Sequence, residues 1–218
     1  MSQRRAMLIW SFALLATWSQ PGAVSAEPRI EWRSGPSHAV GQVAGQTASR
    51  IAQLVPARGD RHLIVQFKEP LSRSEKALCA DAGLRLLAYL GKNAYFASVS
   101  ETGVDRQALA RISSLFDGRA VAKRWKLHPY LAAGREPGWA VVRTDGTRGS
   151  VVGAYILFHS DVSADLAGTE IVRRHGGVIR AQLKSVNGLV IELPLSRVGE
   201  LADEDGVQYI EPALPRMR

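Results

Sequence analysis

The chain has 218 residues, a formal net charge of +8, 46% apolar and 22% charged residues, one cysteine, 20 glycines and 10 prolines. That composition describes a chain able to bury a core, and it excludes a disordered, collagenous, disulfide-stapled or polytopic membrane protein. The length holds one domain or two small ones.

Residues 1–26 read as a secretory signal peptide. Arg4 and Arg5 supply the positive start, residues 6–18 the apolar run, and Val24-Ser25-Ala26 the small-residue cleavage site. A transmembrane anchor needs about 20 apolar residues, and this run is shorter and carries Ser11 and Thr17. The expected product begins near Glu27, is exported to the periplasm or beyond, and has no stable membrane insertion after cleavage. Residues 27–61, rich in Gly, Ser, Ala and Gln with a weak helical run near 47–54, read as a flexible leader.

Residues 62–130 form the first predicted unit, in the order strand, helix, strand, strand, helix, strand. Leu63-Ile64-Val65-Gln66-Phe67 is a β-rich run, and Ser72-Arg73-Ser74-Glu75 fits the capping box that opens a helix, which Gly83 ends. Residues 84–90 and 94–100 make a hairpin about Gly91-Lys92-Asn93. Asp105 is an N-cap for a helix with Leu109, Ile112 and Phe116 on one face, and residues 120–127 close the unit.

A Gly/Pro/Arg-containing linker, residues 131–150, leads to a second copy of the pattern at 151–212. Residues 151–158 are its first strand, and Ser163 caps a helix that Gly176-Gly177 terminates. Residues 178–186 are the second strand and Asn187-Gly188 a two-residue turn. Residues 189–193 are the third strand, Ser196 caps a helix carrying Val198, Leu201 and Ala202, and residues 207–211 are the fourth strand. The duplicated β-α-β-β-α-β order predicts an α+β protein of two tandem ferredoxin-like sandwiches, each an antiparallel sheet with helices on one face.

The other face of each sheet is then uncovered by its own unit. In the second unit Ile179, Ala181 and Leu183 alternate with Arg180, Gln182 and Lys184. The latter set, with Val190 and Glu192 on the neighbouring strand, is the candidate outward face, either solvent surface or an interface.

Charge divides with the units. Residues 62–130 hold 11 Lys/Arg against 6 Asp/Glu, and residues 151–212 hold 5 against 9. A basic half followed by an acidic half lacks the coherent basic surface of a nucleic-acid binder, and leaves two solvated surfaces or two halves that attract each other. The basic-aromatic motif of ferredoxin-like RNA-binding domains is missing from both third strands. The five histidines show no metal-ligand spacing and read as surface or capping residues. No Gly-x-Ser-x-Gly elbow or phosphate loop is present, and Cys79 reads as a small buried hydrophobe. No catalytic residue, metal or cofactor is expected.

His62-Leu63-Ile64-Val65-Gln66-Phe67-Lys68, residues 82–90, Asn93-Ala94-Tyr95-Phe96 and Trp125-Lys126-Leu127-His128-Pro129-Tyr130 resemble the amino-terminal pro-region of bacterial subtilisin-like serine peptidases. Leu201-Ala202 and Val207-Gln208-Tyr209-Ile210-Glu211-Pro212 resemble the end of the subtilisin propeptide-inhibitor module. The resemblance implies a tandem prodomain whose open sheet face lies on two helices of the protease. The segment after the last strand, here Ala213, Leu214, Pro215, Arg216, Met217 and Arg218, would enter the substrate groove as a product-like peptide. The family's catalytic Asp, His and Ser motifs are absent from this chain. The implied role is therefore a non-catalytic inhibitor and folding assistant of a subtilisin-like peptidase, or the pro-region fragment of one. The alternative is an extracytoplasmic ferredoxin-like binding module unrelated to proteases.

Overall fold

The computed structural model describes residues 29–33, 35–39, 41, 43–58, 61–146 and 149–214. The expected signal peptide and Pro215, Arg216, Met217 and Arg218 of the tail lie outside these residues. The chain is a mixed α+β protein built on antiparallel sheets.

Its elements begin inside the expected leader. β1 (Arg29–Trp32) and β2 (Gly35–His38) pair as an antiparallel hairpin, and α1 (Ala44–Arg58) follows. The Ser, Gly and Gln content of this helix hides a narrow apolar contact: Ala48 and Ile51 are fully buried in the first core. The segment is therefore an integral layer of the first unit and not a loose leader.

β3 (His62–Phe67) runs up the centre of the first sheet. The Ser72 hydroxyl accepts from the Glu75 amide at 3.2 Å while the Ser72 amide donates to Glu75 Oε2 at 2.9 Å, which starts α2 (Arg73–Asp81) as expected. The helix stops before Gly83, whose φ is +79° and where a Cβ would stand 2.5 Å from the Gly103 carbonyl oxygen, so glycine is required there. β4 (Leu84–Gly91) then turns through Lys92 and Asn93, both at positive φ, into β5 (Ala94–Val99). Asp105 caps the short α3 (Arg106–Ala110), and β6 (Leu115–Ala120) completes a sheet in the order β4-β5-β3-β6 with every pair antiparallel.

The closing strand thus precedes the expected residues 120–127, and Phe116 belongs to it and not to a helix face. Asp117 and Gly118, ahead of the expected strand, lie mid-strand opposite Gln66 and Val65. The cause is the docking of α1. Arg50 donates to the buried Asp117 carboxylate at 3.0 Å, and Ile51 fills the space over Gly118, where a Cβ would fall 2.4 Å from Ile51 Cγ1.

The turn Lys123–Trp125 and α4 (Pro129–Ala132) lead to β7 (Val141–Asp145), so the expected linker contributes a strand. β8 (Gly149–Phe158), a π turn at Ala164–Gly168, α5 (Thr169–Arg174), β9 (Val178–Leu183), β10 (Gly188–Pro194), α6 (Val198–Asp203) and β11 (Val207–Pro212) follow. The sheet order is β11-β8-β10-β9, and the five-stranded sheet curls into a half-barrel. Its core packs Ile156, Phe158, Leu189, Ile191 and Leu193 against Ile171, Val172, Val198 and Leu201, so the helices lie on one face.

Two local expectations fail in the second unit. Ser196 makes no cap, because the turn Leu195–Arg197 intervenes and α6 starts without a side-chain bond. The second strand ends at Leu183, and Lys184–Val186 form a 3-10 turn, so Lys184 is off the sheet. Asn187 takes a left-handed φ of +49°, and its side-chain amide donates to the carbonyls of His159 and Val162 at 2.8 Å each. These bonds tie the hairpin end to the loop after β8 in place of a two-residue Asn-Gly turn.

The two units are in contact. Leu127 forms a parallel bridge with Ile210, whose amide donates to the Lys126 carbonyl at 2.8 Å and whose carbonyl accepts from the His128 amide at 2.9 Å. This closes the outer edge of β11. Lys123 meets Asp203 at 2.7 Å, Arg33 meets Glu211 at 3.0 Å, and His62 meets Asp161 and Asp205. In each pair the basic residue comes from the amino-terminal half and the acidic one from the second unit, so the charge division read from the sequence recurs at the junction.

The outer face of the first sheet is not free. Ile64 and Phe96 are covered by Ile30 and Trp32 of the β1-β2 hairpin and by Trp125, with the Trp32 and Trp125 rings stacked at 5.1 Å. The expectation of an uncovered face fails here because the segment read as a leader supplies the cover.

Candidate functional site

The outer face of the second sheet carries a groove of about 400 Å³ between β7, β8, β10 and the start of the tail. Its walls are apolar, with Trp139 and Val142 on one side and Val190 and Leu214 nearby, and it contains Arg180, Glu192 and Ala213. Trp139, Val142 and Leu214 are exposed, the last at 73%.

The tail is aimed by competition for one strand edge. β11 pairs with residues 154–158 of β8, and the Ala213 amide extends that ladder by donating to the Gly153 carbonyl at 2.9 Å. From Val152 back to Gly149 the same edge is taken by β7. The tail therefore leaves the sheet at Leu214. The tail passes close to Gly153, where a Cβ would make only ordinary contacts, 3.4 Å to Ala213 Cβ and 3.6 Å to Val142 Cγ2.

Charge in the groove is internally paired. Glu192 is 8% exposed, and a buried carboxylate requires a partner. Arg180 Nη2 donates to Glu192 Oε2 at 2.6 Å, and Arg143 approaches the same oxygen at 3.9 Å. The register shift between β9 and β10 at Val190/Ile191 sets Arg180 on this side of the sheet.

Of the sequence-predicted residues, the fold brings Arg180, Val190, Glu192, Ala213 and Leu214 into one groove. Gln182 is not on the outward face as expected: the register shift pairs it with the core residue Leu189, which places it on the helix-facing side of the exposed edge strand, and Lys184 sits in the turn beyond the strand. Trp139 and Val142 were missed. The signal for them was the apolar run Trp139-Ala140-Val141-Val142 within an otherwise Gly/Pro/Arg segment, a strand signature inside a presumed linker.

The groove lining combines the side chains of Trp139, Val142, Val190 and Leu214 with the Glu192 carboxylate, which is buried and paired with the partly exposed Arg180. Cys79 lies in the first core, where burial, with a smaller effect from Glu75, pushes its thiol up to about 11. Among the described residues no group of three or more His, Cys, Asp or Glu is arranged to hold a metal ion, and no helix is long and apolar enough to cross a membrane.

The histidines depart from the surface-or-cap expectation. His128 does accept from the Tyr130 amide at the start of α4, and His175 meets Glu204 at 2.7 Å. His62 and His159, however, are buried together at the junction of the units, with ring centroids 4.2 Å apart. No local pattern links residues so far apart in sequence.

Residues 29–122 match a family described as a domain of unknown function, DUF8729. The matched segment begins at the first residue of β1 and ends just after β6, so it spans the hairpin, α1 and the whole first sheet. No curated protein and no solved structure matches the chain.

Proposed function

We propose that the chain is an exported, non-catalytic prodomain-like protein that binds, inhibits and assists the folding of a subtilisin-like serine peptidase, in cis or in trans. In this reading its two units are tandem ferredoxin-like modules, supported by the β-α-β-β-α-β order in each and the strand orders β4-β5-β3-β6 and β11-β8-β10-β9.

The observation that carries the reading is the departure of the tail at Ala213–Leu214, beside a sheet face that no α-helix covers, because β7 already holds the rest of the β8 edge. A chain leaving a sheet in extended form can pair through its main chain with a partner's groove, while the adjacent face supplies the rest of the contact. Pro212 and Pro215 restrict their neighbours to extended conformations. A surface complementary to the folded peptidase stabilises both that fold and any transition state that already contains the contact, so inhibition and folding assistance follow from one interface.

The first unit serves as a brace in this scheme, since its outer face is occupied by its own hairpin and by the second unit. The test is to incubate residues 27–218 with a panel of subtilisin-like peptidases, including any encoded nearby, and to measure inhibition and the yield of peptidase refolded from denaturant. Inhibition and raised yield with at least one are expected. Absence of both across the panel would overturn the reading in favour of a binding module unrelated to proteases.

A further inference from the structure

His62 opens β3 on the outer face of the first sheet and is 8% exposed. Its Nδ1 lies 2.7 Å from Asp205 Oδ2 and its Nε2 3.0 Å from Asp161 Oδ1, while its amide donates to Asp205 Oδ1 at 3.0 Å. Both carboxylates belong to loops of the second unit, after α6 and after β8 respectively. A carboxylate offers only lone pairs, so a ring flanked by one at each nitrogen is satisfied only when both nitrogens carry protons.

The two carboxylates favour that state against the burial of the ring. The ring lies parallel to the fully buried His159, which stands edge-on to Phe96 at 4.8 Å. Neither ring nitrogen of His159 has a hydrogen-bond partner among the described residues, and burial, then the nearby His62 charge, push it down to about 3, so it is a neutral floor. Lys126 reaches across from the first unit to donate to the Glu204 carbonyl at 2.8 Å. Arg61 is turned away to the Val99 carbonyl and Glu101, and His175 is engaged with Glu204 inside the second unit. The carboxylates that meet the ring are those of Asp161 and Asp205.

We propose that His62 is a proton-operated latch between the two units, closed as an imidazolium and released when the Nε2–H bond breaks and its proton passes to water. The inference is independent of any peptidase partner. In the neutral ring Nδ1 keeps its proton, because its contact with Asp205 at 2.7 Å is shorter than that of Nε2 with Asp161 at 3.0 Å. The Nε2 lone pair then faces Asp161 Oδ1, and this side of the contact is repelled.

Burial alone would lower the His62 pKa, but the hydrogen bond and charge of Asp205, followed by those of Asp161, outweigh it and raise it above the ordinary 6.5. A group whose pKa is raised in the docked form contributes fully below its undocked value and loses the contribution as pH rises through the docked one. Burial likewise pushes Asp205 upward, yet the bond from His62 holds it at about 2, so the acid limit of the latch lies well below neutral. The latch is closed in mildly acidic solution and opens on the alkaline side.

The test uses the full-length chain and follows the amides of Ile210 and His128, whose bonds join the units, by hydrogen exchange expressed as protection factors from pH 5.5 to 8.5. The wild type is expected to lose about tenfold protection at these amides across that range while the amides of β3 and β5 hold theirs, with the His62 ring titrating above 6.5 by NMR. His62→Gln should show the weakened protection at every pH. Asp161→Asn is the discriminating variant: its amide donates to the neutral Nε2, so protection should persist at pH 8.5. A wild type with pH-independent protection, a His62 ring titrating at or below 6.5, or an Asp161→Asn variant as pH-sensitive as wild type would each overturn the latch.

Discussion

The two halves of the molecule share one chain order and differ in what covers the back of the sheet. In the first unit the back is closed: Ile30 and Trp32 of the hairpin, Trp125 and the His159 side of the second unit lie over Ile64, Phe96 and His62. In the second unit no hairpin covers the back: a groove bordered by Trp139, Val142 and the departing tail leaves Val190 half-buried, although Gly153 and Glu192 in its lining are buried. The same strand-helix plan therefore yields one covered sheet back and one less covered, and the flanking segments decide which is which. Topology is a property of the repeat, whereas exposure is a property of its neighbours.

The strongest way to break this contrast is to remove the cover. Trp125→Ala should lower global stability by about 3–5 kcal/mol, the range for truncating a buried large aromatic, because Trp125 is 9% exposed and stacks on Trp32. Equilibrium urea unfolding followed by circular dichroism measures it, and a loss under about 1 kcal/mol would mean the cover contributes little. Gly118→Ala attacks the other side of the first sheet. Its Cβ would fall 2.4 Å from Ile51 Cγ1, so a cost of about 1–3 kcal/mol is expected, partly relieved by adding Ile51→Val. Additive effects of the two substitutions in the same unfolding assay would contradict the packing of α1 on β6.

Smaller effects compare the helix starts of the two units. Ser72→Ala should cost about 1 kcal/mol through loss of the capping box, whereas Ser196→Ala, in a turn where α6 has no side-chain cap, should stay within about 0.5 kcal/mol. Equal costs for the two would contradict the assigned helix starts. Least disturbing to the fold is Val190→Lys on the open face, with a stability change near 0.5 kcal/mol or less, since Val190 is only half-buried. Under the proposed function the same variant should weaken peptidase inhibition at least tenfold. Unchanged inhibition would move the contact elsewhere.

Much of the fold was legible because local chemistry marks it. The Ser72-Glu75 reciprocal cap, the Asp105 cap, the positive φ at Gly83, Lys92, Asn93 and Gly176, and the β-rich apolar runs of β3 and β8 all follow from short-range rules, and together they disclose the duplicated order. The candidate face was legible in part, since Arg180, Val190 and Glu192 lie on an outward alternation and Ala213 follows a recognisable last strand. What escaped depends on contacts between distant segments. α1 reads as leader because Ala48 and Ile51 are its fully buried apolar residues among polar neighbours such as Thr47 and Arg50, and β6 was misplaced because Asp117-Gly118 has turn composition but is shaped by Arg50 and Ile51.

By itself, then, the sequence determined two β-α-β-β-α-β units of opposite charge, because caps, turns and period-two alternation act within a few residues and net charge is a sum. Only the tertiary structure decided that one sheet face is sealed and the other open, that β7 deflects the tail, and that His62, His159, Asp161 and Asp205 converge at the junction. Those outcomes rest on packing and on pairing of groups about a hundred or more residues apart, such as His62 with Asp161 and Asp205, and no local pattern in the chain encodes which distant partner fills a given space.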